Sequence, residues 1–335
     1  MTIEREPPAE LSMEPQMLSE LAAVAGLELV GSDREIVAFG GVTTGSRHRA
    51  GLLTYATTEA FVADFIASEV AACVVPQRFA ALVPDGRSAL ITGGDAGEVF
   101  YELFAHAAEH GRWTAIEEWR GAGLRIAATA VIHDGVSIGD DCVIMDHVVV
   151  LPRTHIASGV TIKPNATIGG EGFQLAQIAG RRRLVPHAGG VYLGPGVTIG
   201  SQTCVDRGLF GELTWIEAEA HVDNLVHIAH SVRVGTRATI VACAEVSGSV
   251  VVGDGAWLGP ACAINPGVRV GEHALIGTGS TVVADVPPNA VAFGSPAKVR
   301  GWRCECGVRL AARPQSRCPA CDREVPGEDD GAPAG

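Results

Sequence analysis

Ile126-Ala-Ala-Thr-Ala-Val-Ile132-His-Asp-Gly-Val-Ser-Ile138-Gly-Asp-Asp-Cys-Val-Ile144 opens a run in which an aliphatic residue returns at every sixth position, through Val150, Ile156, Ile162 and Ile168. The phase resumes at Leu193, Ile199 and Val205. It returns again from Ile216 through Val222, Ile228, Val234, Ile240, Val246, Val252, Leu258, Ile264, Val270 and Ile276 to Val282. A period of six matches neither the 3.6 of a helix nor the alternation of a strand. It matches a hexapeptide-repeat parallel β-helix, in which each short strand turns a corner and every sixth residue points to the axis. Glycine often follows the aliphatic position, as at Gly139, Gly200, Gly235 and Gly277, where the corner needs unusual dihedrals or close backbone approach. The phase breaks over Gly169 to Tyr192 and Asp206 to Trp215, and insertions in a solenoid are loops that carry function.

Outside the repeat, residues 1–120 alternate helix-like stretches (Met17 to Ala25, Glu59 to Ala67, Ala96 to His110) with extended ones (Glu35 to Val42, Gly51 to Tyr55, Ala72 to Val75). That pattern predicts a small α/β domain ahead of a β-helix over 121–300, with a cysteine-rich segment over 301–324 and a disordered acidic tail over 325–335. At 335 residues, 47% of them hydrophobic, the chain is long enough for two domains without disulfide staples. Aromatic residues make up 5% and glycines number 42, which disfavours a helical bundle. A net charge of −13 argues against a nucleic-acid partner, whose affinity comes from clustered Lys and Arg. The acidic N-terminus and the lack of a long apolar run predict a soluble, cytoplasmic protein.

The chemistry concentrates in His221-Val-Asp223-Asn224-Leu-Val-His227-Ile-Ala-His230. Asp223 and His230 follow Val222 and Ile228 by one and two positions, so both are expected near one edge of the prism. A carboxylate there fixes the imidazole tautomer and frees the other nitrogen as a general base. At the C-terminus, Cys304-Glu-Cys306-Gly and Cys318-Pro-Ala-Cys321 offer four thiolates in two close pairs, a donor set for a closed structural Zn²⁺ site, with free thiols or an iron–sulfur site as the alternatives.

Gly170-Glu171-Gly172-Phe173, Val185-Pro186-His187, Cys204-Val205-Asp206-Arg207-Gly208 and the His221 to His230 stretch, in that order and spacing, resemble the UDP-3-O-acylglucosamine N-acyltransferases of lipid A biosynthesis. The resemblance covers most of residues 15–300 and is strongest from 126 to 282. It implies a left-handed β-helix assembled as a homotrimer, His230 as general base, Asp223 as its orienting carboxylate, and Phe173, His187, Asn224 and His227 at the substrate. It also implies a uridine-binding N-terminal domain, where Tyr55 and Phe61 are the candidate stacking pair and Thr58 stands in place of a usual Asn. The expected reaction moves an acyl group from a 3-hydroxyacyl carrier protein or acyl-CoA to the amine of a UDP-linked amino sugar.

Three departures bear on the transfer. Asn265-Pro266-Gly267 lacks the second histidine that the family carries there. Phe293-Gly-Ser-Pro-Ala-Lys-Val299 is similar to the closing segment of acyl-CoA-dependent hexapeptide acetyltransferases, which points to an acetyl-CoA-dependent nucleotide-amino-sugar N-acetyltransferase as the alternative. The family's C-terminal helices, which contact the acyl carrier protein, are replaced by the zinc-ribbon-like cysteines. Arg181, Arg182 and Arg183 in the first insertion are candidates for contact with a diphosphate or with carrier or CoA phosphates. Two rival readings use the same prism: a γ-type carbonic anhydrase with zinc on His221, His227 and His230, and a non-catalytic trimeric scaffold.

Overall fold

The computed structural model describes residues 8, 10–42, 46–310 and 317–324. From Arg125 onward each hexapeptide closes a strand of two to four residues with its aliphatic side chain inward, and the next strand lies on a new face of a three-sided prism. A seven-stranded face runs from Val136–Ile138 to Arg269–Val270, and an eight-stranded face from Val131–Ile132 to Thr281–Val282. The third face starts at Arg125–Ile126, reaches Leu275–Ile276 and is prolonged by Ala290–Gly294, Ala297–Arg303 and Arg309–Leu310 to eleven strands. All pairings within the repeat are parallel, and like residues stack, as in Ile228 on Val246 and Val246 on Ile264. Ile138, Ile156, Ile162, Ile199, Ile228 and Ile240 are completely buried in one continuous core. Ile126 and Ile132, in the first coil, are partly exposed, because no coil lies beneath them.

The structure divides the two demands at a corner between two positions. The glycine after the aliphatic residue answers close approach alone: a Cβ on Gly200 would lie 2.2 Å from the Asp223 carbonyl carbon of the next coil, and one on Gly139 2.6 Å from Ser158 N. The unusual dihedral falls two residues later, where Asp141, Gln202, Leu225, Ser231, Arg237 and Cys243 hold φ between 55° and 62°. Most of these corner residues carry a side chain, so the fold bears their left-handed strain through its stacking.

The N-terminal unit is a five-stranded sheet in the order Glu28–Val30, Ser88–Thr92, Ala72–Pro76, Leu52–Tyr55, Ala38–Phe39, parallel apart from its first pair. Helices α1 (Leu18–Ala25), α2 (Glu59–Ala67) and α3 (Ala96–His110) pack around it, and Thr58 and Asp95 cap α2 and α3 by accepting the N–H groups of Phe61 and Glu98. The extended stretch expected over Glu35 to Val42 is two short strands, Glu35–Ile36 and Ala38–Phe39. Ile178, Val185, Ala188 and Leu209, all from the two insertions, are buried in the same cluster as Phe100, Leu103 and Phe104 of α3. The segment after Glu10 is fastened to the second insertion by Leu11 N donating to Gly211 O at 2.7 Å. The expected tail over 325–335 lies outside the described residues.

Gly200→Ala is expected to cost about 2–3 kcal/mol through collision with the next coil. Gly279→Ala, at φ 63° with open space around it, should cost about 1 kcal/mol from the dihedral alone. Equal losses in chemical unfolding would show that the corner dihedral, not coil spacing, sets the tolerance.

Candidate active site

Both insertions leave the prism at one corner, between the eight-stranded and seven-stranded faces. The first spans the interval from Thr167–Gly170 to Gly190–Leu193, and the second the interval from Cys204–Asp206 to Leu213–Ile216 on the next coil. One coil further, the same corner carries His230, between His227–Ile228 and Arg233–Val234. Ser247 to Ser249 and Pro266 to Gly267 continue the stack.

His230 Nδ1 lies 3.2 Å from Ser231 Oγ, and that hydroxyl is bonded to Glu212 Oε1. The Glu212 carboxylate also accepts the backbone N–H groups of Leu209, Phe210 and Gly211, at 3.1 to 3.2 Å. A carboxylate only accepts, so Ser231 donates to Glu212 and must accept from His230 Nδ1–H. The lone pair of His230 is thereby placed on Nε2, which faces Gly248: a Cβ at that position would come within 2.6 Å of it. Burial pushes the His230 pKa down from its ordinary value, against the smaller opposing pull of Glu212 and Asp206. The result is a neutral imidazole with one free nitrogen.

His227 Nε2 bonds Asp206 Oδ2 at 2.9 Å, and that bond raises the His227 pKa more than partial burial lowers it. His187 Nδ1 is 3.0 Å from the Val185 carbonyl, so it carries the proton, and its Nε2 is buried without a hydrogen-bond partner. The His187 and His230 rings meet edge to face at 5.4 Å. Gly172 lies over His187, Asp206 and His230, since a Cβ there would stand 2.8 Å from His187 Nε2 and 3.4 Å from both Asp206 Oδ2 and His230 Cδ2. Glycine at 172 is required by packing against the histidines.

Asp223 does not orient His230, which corrects the pairing expected from sequence. Its carboxylate accepts Ala242 N at 3.2 Å, at the corner that precedes the His227 strand. Each face takes six residues, so positions 223 and 230, offset by one and two from their aliphatic residues, fall on successive corners. Asn224 serves the coil as well, its Oδ1 accepting Ser201 N at 2.7 Å. The carboxylates that do reach the histidines are Asp206, at the end of the Cys204–Asp206 strand, and, through Ser231, Glu212 of the second insertion. Asp206 stands in the Cys204 to Gly208 stretch that carries the resemblance, and the break in phase is the signal that marks Glu212.

Two cavities meet at His230. One, of about 570 Å³, is lined by Phe39, Ser46 and Arg47 from the N-terminal unit and by Phe210, Trp215, Arg233 and Arg269 from the prism. The other, of about 540 Å³, is lined by Phe173, His227, Glu245, Gly248, Pro266 and Gly267. Phe173 is 77% exposed at its rim. The ring contacts of Tyr55 are with Phe100 and Tyr101, at 4.7 and 6.2 Å, and not with Phe61, which lies exposed on α2. The aromatic wall facing the larger cavity is therefore Phe39, Phe210 and Trp215, which the sequence reading missed. Thr58 is occupied as a helix cap, and Arg181 to Arg183 lie on an exposed hairpin strand paired with Leu175–Ile178, outside both cavities.

The Sγ atoms of Cys304, Cys306, Cys318 and Cys321 all lie within 4.8 Å of one another, with Cys304–Cys321 at 3.6 Å and Cys306–Cys318 at 3.7 Å. Sulfurs at ~2.3 Å from a tetrahedral centre stand about 3.8 Å apart, so the donor set fits a metal of zinc's size. Backbone N–H groups of Ala320 and Cys321 face the Cys318 thiol and draw its pKa down to about 7. His221, His227 and His230 do not converge: among the described residues the four cysteines form the metal-ligating group.

Burial pushes His187 down to about 4, against about 6.5 in an unfolded chain. Between those values the unfolded chain takes up a proton that the native site refuses, so stability falls as pH drops, by about 3 kcal/mol for this group. Urea midpoints of wild type and His187→Gln at pH 7 and 4.5 are expected to show a shallower loss in the variant. Parallel losses would mean that His187 is not the acid-sensitive group.

Residues 135–170 and 249–284 match the family model for the bacterial transferase hexapeptide (six repeats). The UDP-3-O-acylglucosamine N-acyltransferase of Caulobacter sp. is 39% identical over 44% of this chain and 43% of its own length. UDP-3-O-acylglucosamine N-acyltransferase 2 of Legionella pneumophila is 29% identical over 86% of this chain and 92% of its own. The solved UDP-N-acetylglucosamine acyltransferase of Francisella novicida aligns with 56% of this chain and 68% of its own, at 22% identity and a TM-score of 0.46. The chain spans less than half the length of the first curated relatives it matches, 43% and 46%. Two stretches of its prism match bacterial transferase hexapeptide repeats, and its sequence is similar to UDP-3-O-acylglucosamine N-acyltransferases.

Proposed function

We propose that the chain is a thioester-dependent N-acyltransferase acting on a nucleotide-linked amino sugar, as its curated relatives are named. One observation carries the reading: a histidine whose Nε2 has no hydrogen-bond partner among the described residues lines both cavities, so two substrates can reach one base. The nucleotide sugar takes the larger cavity, its base along Phe39, Phe210 and Trp215, and its phosphates at Arg47, Arg233 and Arg269. The acyl thioester takes the smaller one, beside Phe173, Gly248 and Gly267.

In this mechanism the sugar amine adds to the thioester carbonyl as His230 Nε2 removes its proton. The tetrahedral intermediate then expels the thiolate, and His230 returns the proton to the sulfur. Glu212, through Ser231, holds the ring and stabilises the imidazolium formed in between. Residues 1–120 act as the nucleotide-binding unit and 121–300 as the acyl-transfer unit. The chain works as a homotrimer in the cytoplasm, and no described helix is long and apolar enough to cross a membrane. A structural Zn²⁺ is held by Cys304, Cys306, Cys318 and Cys321. It takes no part in acyl transfer, because a closed four-thiolate site leaves no open position.

A 3-hydroxyacyl carrier protein is the donor in this reading. The hairpin of Ala290–Gly294 and Ala297–Arg303, with Phe293 and Val299 exposed, favours acetyl-CoA as the second reading. Mass analysis of products from UDP-amino sugars offered each donor in parallel separates them, as a long-chain amide or an acetamide. His230→Ala is expected to lower kcat about 10²–10⁴-fold with the oligomer intact, and a near-wild-type rate would remove His230 from the base's role. One zinc per chain should be retained on dialysis and lost in Cys318→Ser, with the circular dichroism of the prism unchanged. Collapse of that spectrum would give the cysteines a role in folding the whole chain.

A further inference from the structure

His230 takes its carboxylate through a serine, whereas the histidine that meets a carboxylate directly is His227, which the mechanism above leaves unused. Asp206, its partner, is 8% exposed and sits on the neighbouring coil, where Cys204–Asp206 pairs with His227–Ile228. Asp206 is packed under the Gly170 to Gly172 turn, so the bond to Nε2 is held by the fold. Among the described residues no group of the protein bonds Nδ1 of His227. The ring lies on the wall of the smaller cavity, and its side chain is 45% exposed.

The groups that face this ring set its charge. Asp206 and Cys204 lie on the coil to one side, Glu245 on the coil to the other, and His230 three residues along. Glu245 accepts Ser247 Oγ–H at 2.9 and 3.1 Å, which holds its carboxylate beside the ring. Two carboxylates thus flank His227, one of them in direct hydrogen bond, while burial keeps His230 neutral. Environments that drive two neighbouring imidazoles apart divide the acid and base roles between them.

We propose that His227 is a second catalytic residue, an imidazolium that donates Nδ1–H to the oxyanion formed when the amine adds to the thioester carbonyl, with Asp206 as its positioning residue. This rests on the thioester reading of the smaller cavity. The carbonyl π electrons move onto oxygen as the C–N bond forms, His230 takes the amine proton, and the oxyanion is held by the imidazolium without proton transfer from it. When the C–S bond breaks, the carbonyl re-forms and His230 protonates the departing sulfur. His227 begins and ends the cycle protonated. A charged donor aimed at developing charge in a partly desolvated site strengthens in the transition state, which is where it accelerates the reaction.

The test is steady-state kinetics of the full-length protein across pH, with the donor and amino sugar found to be turned over, for wild type, His227→Gln and Asp206→Asn. In wild type, activity should rise as His230 loses its proton and fall at higher pH as His227 loses its own. His227→Gln should lower kcat about 10²-fold, leave KM for both substrates within about twofold, and abolish the alkaline fall. Asp206→Asn should move the alkaline fall to lower pH, and an NMR titration of the His227 ring should follow that movement without turnover. A His227→Gln enzyme with wild-type kcat, or one changed only in KM, overturns the proposal while leaving acyl transfer standing. A wild-type protein that turns over no thioester with any amino sugar overturns both.

Discussion

The stacking of inward aliphatic residues, one from each hexapeptide, is the constraint on which the rest of the molecule depends. Ile228 sits between Val205 and Val246 at a fixed strand spacing of ~4.8 Å. A residue's place on the prism is then set by its count from the nearest aliphatic, whatever its own chemistry. The strain of a non-glycine corner at φ near 60° is of order 1–2 kcal/mol, and it recurs at Leu225, Ser231, Arg237 and Cys243. It is sustained because each corner is followed by another buried aliphatic, worth roughly 1.5–3 kcal/mol.

Counting also explains why the polar groups meet where they do. Insertions at the same point of successive coils must emerge one above another, so Gly172 and His187 from the first, Asp206 and Glu212 from the second and His230 from the next coil share a corner. None of these contacts needs a flexible loop to search for its partner. The N-terminal unit then buries the apolar residues of both insertions beside α3. Backbone donors from Leu209, Phe210 and Gly211 satisfy Glu212 beside a half-buried imidazole, so polarity that is costly in isolation becomes a held network.

The fold was legible because its signal is periodic and repeats more than twenty times, from Ile126 to Val282. The cysteine cluster was legible because its ligands are close in sequence. The carboxylate partners were not: Asp206 lies 21 residues from His227 and Glu212 19 from Ser231, separations set by insertions that have no phase of their own. Asp223 shows the limit from the other side. It stands near His230 in sequence and carries the right group, yet the six-residue count sends it to another corner. Thr58, which the resemblance places at the nucleotide, has its hydroxyl on the N-terminus of α2, since a small hydroxyl that suits a substrate suits a helix cap equally well. Tyr55, expected to stack with Phe61, packs instead on Phe100, and the rings that continue that group to the cavity, Phe39 and Phe210, come from another strand and from an insertion.

The C-terminal cysteines solve a problem that the prism creates. A β-helix ends on exposed strand edges, which pair with other chains unless covered. Here the third face continues past the last coil as the hairpin of Ala290–Gly294 and Ala297–Arg303 and ends in Arg309–Leu310, only two residues long. Cys304 and Cys306 lie in the turn before that last strand, and Cys318 and Cys321 bring residues 317–324 back against it. The buried cluster there consists of Cys304 and Cys318 with Leu310 beside them, too little apolar surface to hold the segment by the hydrophobic effect. A metal bound as proposed at the four sulfurs would supply what burial cannot and would make the cluster a closure for the sheet edge.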